Sequence, residues 1–165
     1  LVVGLDANAD ALRKTSAKAA ARADRGGLPN VVFLRAAAER LPDGLSDVAE
    51  VHVLMPWGSL LRGMLGEGPV LEAISAVCRP GAPFLVTLNL HAWRPPVPEV
   101  GELPEPDPAS ARTALAERYA AAGWRLTEAE YLDDAGIAAL ATSWTKRLGS
   151  SRARFDVLAL RGTVG

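Results

Sequence analysis

A chain of 165 residues, 49% hydrophobic and 22% charged, has ordinary globular composition: it can bury a core as a single domain and is not disordered as a whole. Its net charge of −1 excludes bulk electrostatic affinity for nucleic acid, and one cysteine, Cys78, excludes an internal disulfide and fits a reducing compartment. With no apolar run near the length of a membrane span and no signal-peptide pattern, a cytoplasmic protein with no membrane partner is expected; the chain is also expected to be a monomer.

The first predicted strand is Leu1-Val2-Val3-Gly4-Leu5, closed by Asp6. Asn8 then caps an alanine-rich helix to about Asp24, and Gly26-Gly27 stops it. Asn30 to Arg35 is the next strand, followed by the small residues Ala36-Ala37-Ala38, then Glu39 and a turn at Pro42-Asp43-Gly44. Glu50 to Met55 is an apolar strand that halts at Pro56-Trp57-Gly58. Two helices follow, Gly58 to Met64 and Pro69 to Cys78, the second with proline in its first turn. Ala82 to Asn89 is a strand, and His91 to Pro108, with six prolines among acids, is a surface linker or lid. A helix starts at Asp107 or Ser110 and ends before Gly123. Trp124 to Leu132 alternates as a strand with one slip of phase, Asp133 opens a short helix through Leu140, and Arg154 to Leu160 is the last strand. Six strands interleaved with helices make an α/β protein, the last two strands returning antiparallel.

Three features carry chemistry. In an open α/β sheet, ligands bind beyond the carboxyl ends of the strands. Trp57 stands at such an end, and Trp144 lies in the later loop Ala141 to Arg147 beside Lys146 and Arg147. Two indoles on one rim can hold a flat ring, and a neighbouring positive charge suits a nucleic acid. Asp6, an acid after an early strand, can accept both hydroxyls of a ribose, the competing reading being a simple turn or capping aspartate. Ala36 and Ala37 leave room for a ring to lie against the backbone, unless this is only a turn. Charge is also segregated: nine acids against three arginines between Pro95 and Asp134, then five bases against Asp156 alone from Ala141 onward. That basic tail is a phosphate-binding candidate or a solvated surface. Trp93 and Trp124 read as packing residues. His52, His91 and Cys78 give no metal-ligand spacing, so no metal is expected.

This order of features resembles the class I S-adenosylmethionine-dependent methyltransferases. The paired motifs MPWGSLLRG (Met55 to Gly63) and TSWTKRL (Thr142 to Leu148) look like the Kam-type aminoglycoside-resistance methyltransferases, which modify N1 of adenine-1408 in 16S rRNA of the 30S subunit. The resemblance implies a Rossmann-like, mostly parallel seven-stranded sheet with an antiparallel last strand, S-adenosylmethionine as cofactor and 16S rRNA as partner. It implies that Asp6 holds the cofactor ribose, Ala36 and Ala37 meet the adenine ring, and Thr142 and Ser143 lie close to the cofactor. Trp57 and Trp144 would sandwich the flipped target base. Arg152 or Arg154 would grip the RNA phosphate near the target, while Lys146 and Arg147 are read as RNA-binding from their charge beside Trp144. The glycine-rich turn and first strand of that fold have no counterpart here. Residues 1–165 are therefore expected to be a single methyltransferase domain lacking its amino-terminal part. Two other readings stay open: a related methyltransferase acting on a small molecule, and a non-enzymatic nucleotide- or RNA-binding module.

Overall fold

The structure, a computed structural model, describes residues 1–94, 100–140 and 156–165. The chain divides into two compact units, Leu1–Gly44 and Leu45–Gly165.

In the first unit, strand β1 (Val2–Asp6) and strand β2 (Val31–Arg35) pair in parallel, with Asp6 opposite Arg35. Helix α1 (Ala9–Ala19) connects them, and the Asn8 side chain accepts the Asp10 amide at 2.9 Å to cap it. The helix ends at Ala19, short of the expected Asp24. The Ala19 carbonyl is taken by the Leu28 amide at 2.9 Å, while Ala23–Arg25 forms a separate 3₁₀ turn closed by Gly26 at φ 79°. The return of the chain toward β2 therefore overrides the helical preference of the alanines. Phe33 lies over Gly4, where a Cβ would stand 2.6 Å from the ring.

The second unit is a four-stranded sheet in the order β3-β4-β6-β5. Strand β3 (Val51–Leu54) runs parallel to β4 (Ala82–Asn89), while β6 (Val157–Val164) is antiparallel to both β4 and β5 (Trp124–Tyr131). The phase slip read in β5 is a bulge: the register jumps between Leu126 and Glu128. The last strand continues past the expected Leu160 to Val164, and Gly162 is what lets it pass the bulge. A Cβ there would sit 1.9 Å from the Arg125 carbonyl oxygen. Of the expected start, 154–155 lie outside the described residues. The described strands number six; the seventh strand implied by the resemblance is not among them.

One side of this sheet carries helices α2 (Gly58–Met64) and α3 (Val70–Ser75) together with a longer helical run. That run is α4 (Pro108–Ser110), a π-helical turn Ala111–Leu115 and α5 (Ala116–Ala121), opened by a capping box between Asp107 and Ser110. Helix α3 stops before Cys78 because Val77 and Arg79 bond to Val48, the Val77 carbonyl accepting the Val48 amide and the Arg79 amide donating to the Val48 carbonyl. The core gathers on Phe84, Tyr119 and Trp124, whose ring centroids are 4.8 to 5.8 Å apart. Both polar tips are satisfied inside: the Tyr119 hydroxyl donates to the Met64 carbonyl and the Trp124 indole N–H to the Leu71 carbonyl, each at 3.0 Å. Trp124 is thus a packing residue, as expected. Helix α6 (Asp134–Ala139) starts on the expected Asp133 cap. The described residues on either side of 95–99 are more anchored than a surface linker: Leu90–Trp93 is a 3₁₀ turn, the Trp93 indole donates to the Leu103 carbonyl at 2.9 Å, and Val100 is fully buried.

Candidate functional site

In the first unit, parallel pairing brings the acid and the small residues to the same sheet edge. Asp6 ends β1 and Ala36 follows β2, and the Ala36 amide donates to the Asp6 carbonyl at 3.2 Å. The Asp6 carboxylate is exposed, and its Oδ1 accepts the Asn8 amide at 2.8 Å. That bond is the turn role considered above. It also fixes the direction of the carboxylate, leaving Oδ2 outside any hydrogen bond among the described residues. Ala37 is exposed, and the Arg40 amide closes a turn on its carbonyl at 3.1 Å. An oriented acid beside the small residues Ala36 to Ala38 offers an acceptor and little steric bulk, which fits a ribose carrying an adenine.

In the second unit, Trp57 stands just beyond the carboxyl end of β3, and the backbone that carries it is unusual. Met55 has φ 52°, one of two non-glycine residues with positive φ among those described, the other being Asp47. The residue before a proline favours extended backbone, so this conformation runs against both chirality and Pro56. Met55 is 5% exposed, and its amide donates to the Thr87 carbonyl at 3.0 Å and to the Thr87 hydroxyl at 3.1 Å. Pro56 is buried, after which Trp57 returns to extended backbone (φ −137°, ψ 163°) and Gly58 at φ 59° opens α2. Trp57 as a residue is 38% exposed. A turn of this kind lifts a large aromatic out of the core at the edge where ligands bind.

The other predicted site residues, Thr142, Ser143, Trp144, Lys146, Arg147, Arg152 and Arg154, lie outside the described residues. Among the described residues no group of three His, Cys, Asp or Glu side chains could hold a metal ion. No described helix is long and apolar enough to cross a membrane.

The family model described as "NpmA: 16S rRNA (adenine(1408)-N(1))-methyltransferase" matches residues 1–163. The chain belongs to this family. It is 64% identical over 165 residues to the 16S rRNA (adenine(1408)-N(1))-methyltransferase of Streptoalloteichus tenebrarius, covering 99% of this chain and 76% of that relative. The fold is similar to the crystal structure of the 16S rRNA methyltransferase KamB, with a TM-score of 0.92 at 64% identity over 100% of this chain and 77% of that one. It is also similar to a tryptophan-to-alanine mutant of the adenine-1408 enzyme from Catenulisporales acidiphilia solved with its cosubstrate SAM. There the TM-score is 0.87 at 40% identity, covering 99% of this chain and 75% of that one. Membership of this methyltransferase family makes the chain an enzyme of S-adenosylmethionine chemistry and bears out the resemblance read from the two tryptophan motifs.

Two features escaped the sequence reading. Thr87 carried a signal, a hydroxyl in the otherwise apolar run Phe84-Leu85-Val86-Thr87-Leu88, but nothing to say what it bonds. Arg94 and Asp156, 2.9 Å apart and 62 positions distant in sequence, carried none.

Proposed function

We propose that this chain transfers the methyl group of S-adenosylmethionine to N1 of adenine-1408 of 16S rRNA in the 30S subunit, conferring aminoglycoside resistance, and that it does so as a monomeric cytoplasmic enzyme. In this reading residues 1–165 belong to one methyltransferase domain of the seven-stranded class I type. The observation that carries it is the strained turn at Met55, which presents Trp57 beyond a parallel strand in a chain matched by one family over residues 1–163.

The chemistry asks little of acids and bases. When bound, S-adenosylmethionine supplies an activated methyl group on a sulfonium. Adenine N1 has a free lone pair once its pairing edge is exposed, so the protein has to extract the base and align it. Trp57 supplies one stacking face and Trp144 the other. Their electron-rich rings also favour the positive charge that develops on the methylated adenine. Asp6 would hold the cofactor ribose through the oxygen that Asn8 leaves open, Ala36 and Ala37 would meet the cofactor's adenine, and Thr142 and Ser143 would serve close to the cofactor. Lys146, Arg147, Arg152 and Arg154 contact phosphates, which places the basic tail at the RNA.

Primer extension on 30S subunits incubated with the protein and S-adenosylmethionine tests the proposal. A new stop at adenine-1408 is the expected result. Cofactor binding without a stop, or methylation of free small molecules with no salt-sensitive binding to the subunit, would overturn it.

A further inference from the structure

Thr87 is fully buried on β4, and a buried hydroxyl costs free energy unless it is bonded. Besides the polar tips of Tyr119 and Trp124, the buried polar side chains among the described residues are Thr87 and Asn89. Asn89 is accounted for by local structure, since it accepts the His91 amide and caps the 3₁₀ turn that follows the strand. Thr87 makes no such local bond. Its hydroxyl reaches across the ladder to Met55, 32 positions earlier in the chain.

That contact is surplus to the sheet. The Met55 amide already has a ladder bond to the Thr87 carbonyl at 3.0 Å, continuing the register that pairs Leu54 with Thr87. Valine at position 87 would suit a buried strand equally well. The hydroxyl sits instead where a non-glycine residue before a proline is held at φ 52°. A strained conformation persists only when its surroundings over-determine it. Here the determinants are the two oxygens of Thr87 and the burial of the Met55 and Pro56 side chains. Everything after Met55 takes its direction from that φ. Relaxation toward extended backbone would leave Leu54 in the ladder and swing Trp57.

We infer that Thr87 is a positioning residue for methyl transfer, its buried hydroxyl locking the Met55 turn and so fixing where Trp57 stands. The inference rests on the base-clamp reading of Trp57 given above. Thr87 acts through the turn and touches neither cofactor nor RNA. Loss of its hydroxyl therefore shows in the turnover of bound substrate rather than in cofactor affinity.

The test compares Thr87→Val, Thr87→Ala and Thr87→Ser with the wild-type chain on 30S subunits. The readouts are kcat, S-adenosylmethionine affinity by calorimetry and the thermal unfolding midpoint. Valine keeps the volume and the carbonyl bond, so the fold survives. Both Val and Ala variants are expected to lose roughly ten- to a hundredfold in kcat, the scale of a small misplacement of a positioning group, with cofactor affinity within about twofold of wild type for a group that does not meet the cofactor. Serine restores the hydroxyl, and with it kcat to within a few-fold. A wild-type kcat in Thr87→Val overturns the inference, as does failure of serine to restore turnover. Loss of kcat in parallel with cofactor affinity or unfolding midpoint overturns it too, since that marks a structural role. If wild type itself leaves no stop at adenine-1408, the proposed function has failed first; if wild type is active and Thr87→Val equals it, only the role of Thr87 has.

Discussion

Trp57→Ala is the obvious test of the base clamp, and the structure shows why it is insufficient alone. The residue is 38% exposed, so about three fifths of it is buried. A tryptophan side chain buries on the order of 150–250 Å² in full, which leaves about 90–150 Å² to lose. At about 25 cal/mol per Å² that is roughly 2–4 kcal/mol of stability as an upper bound, enough to lower activity through unfolding. A series separates the two effects. Trp57→Leu keeps apolar bulk without a π face, and Trp57→Phe keeps a smaller π face. Stacking is worth about 1–3 kcal/mol per base, or roughly five- to 150-fold in kcat/KM. The expected order in kcat/KM is Trp, then Phe within about tenfold, with Leu and Ala together well below. In stability Phe and Leu lie together, with Ala below both. Single-turnover transfer of labelled methyl to 30S subunits gives the first order and thermal unfolding the second. If Leu matches Phe in transfer, or if transfer simply tracks the unfolding midpoint through all four proteins, the indole is a packing residue and the clamp reading is wrong.

Asp6→Asn keeps the acceptor that the Asn8 amide uses at 2.8 Å but removes the charge. Calorimetry should show S-adenosylmethionine binding weakened roughly ten- to a hundredfold, the scale of charge-assisted hydrogen bonds, with the unfolding midpoint unchanged; unaltered binding would leave Asp6 as a turn residue only. Tyr119→Phe removes the buried donor to the Met64 carbonyl and should cost about 1–2 kcal/mol in denaturant unfolding. Burial pushes the Tyr119 phenol far above its ordinary range, so this loss should be the same at pH 6 and pH 9. Asp107 is held below the ordinary aspartate range by the Ser110 amide first and the Ser110 hydroxyl second. Since its folded pKa is depressed, its contribution is present above the unfolded value of about 3.9 and lost as pH falls through the folded one. Wild type should therefore unfold at a higher temperature than Asp107→Asn near pH 6, and the gap should close in strong acid; a gap that persists there would mean the carboxylate charge contributes nothing to the cap.

Much of the fold was legible because particular residues force particular turns. Asn8 and Asp133 were read as helix starts and Asp107 as one of two candidates with Ser110, and each of the three caps a helix with its own side chain. The slip in the alternation after Leu126 was read from side-chain pattern alone and is a bulge. What failed was the extent of elements whose ends are set by distant partners. Helix α1 stops early because Leu28 takes a carbonyl, α3 stops early because Val48 captures its last turn, and β6 runs on because Gly162 can pass Arg125. Local propensity has no information about any of these.

The site shows the same division more sharply. Trp57 and Trp124 both border strands and both are large and aromatic. Their separation into one buried and one exposed residue depends on what the backbone does next to them. Trp124 opposes Val164 in the ladder, packs on Phe84 and Tyr119 and turns its indole N–H to Leu71, and so is buried. Trp57 follows a residue whose own preferences, as a methionine before a proline, argue for extended chain. Pattern reading places a tryptophan at the end of β3 correctly, yet it cannot show a left-handed Met55, because no residue type at position 55 or 56 asks for it. What holds it lies outside the turn: Thr87, a strand away, accepts the Met55 amide, and the Met55 and Pro56 side chains are buried. A strained turn imposed from outside is the kind of feature that serves presentation of a side chain rather than closure of a core. The backbone conformation least predictable from local sequence is therefore the one that immediately precedes the exposed Trp57.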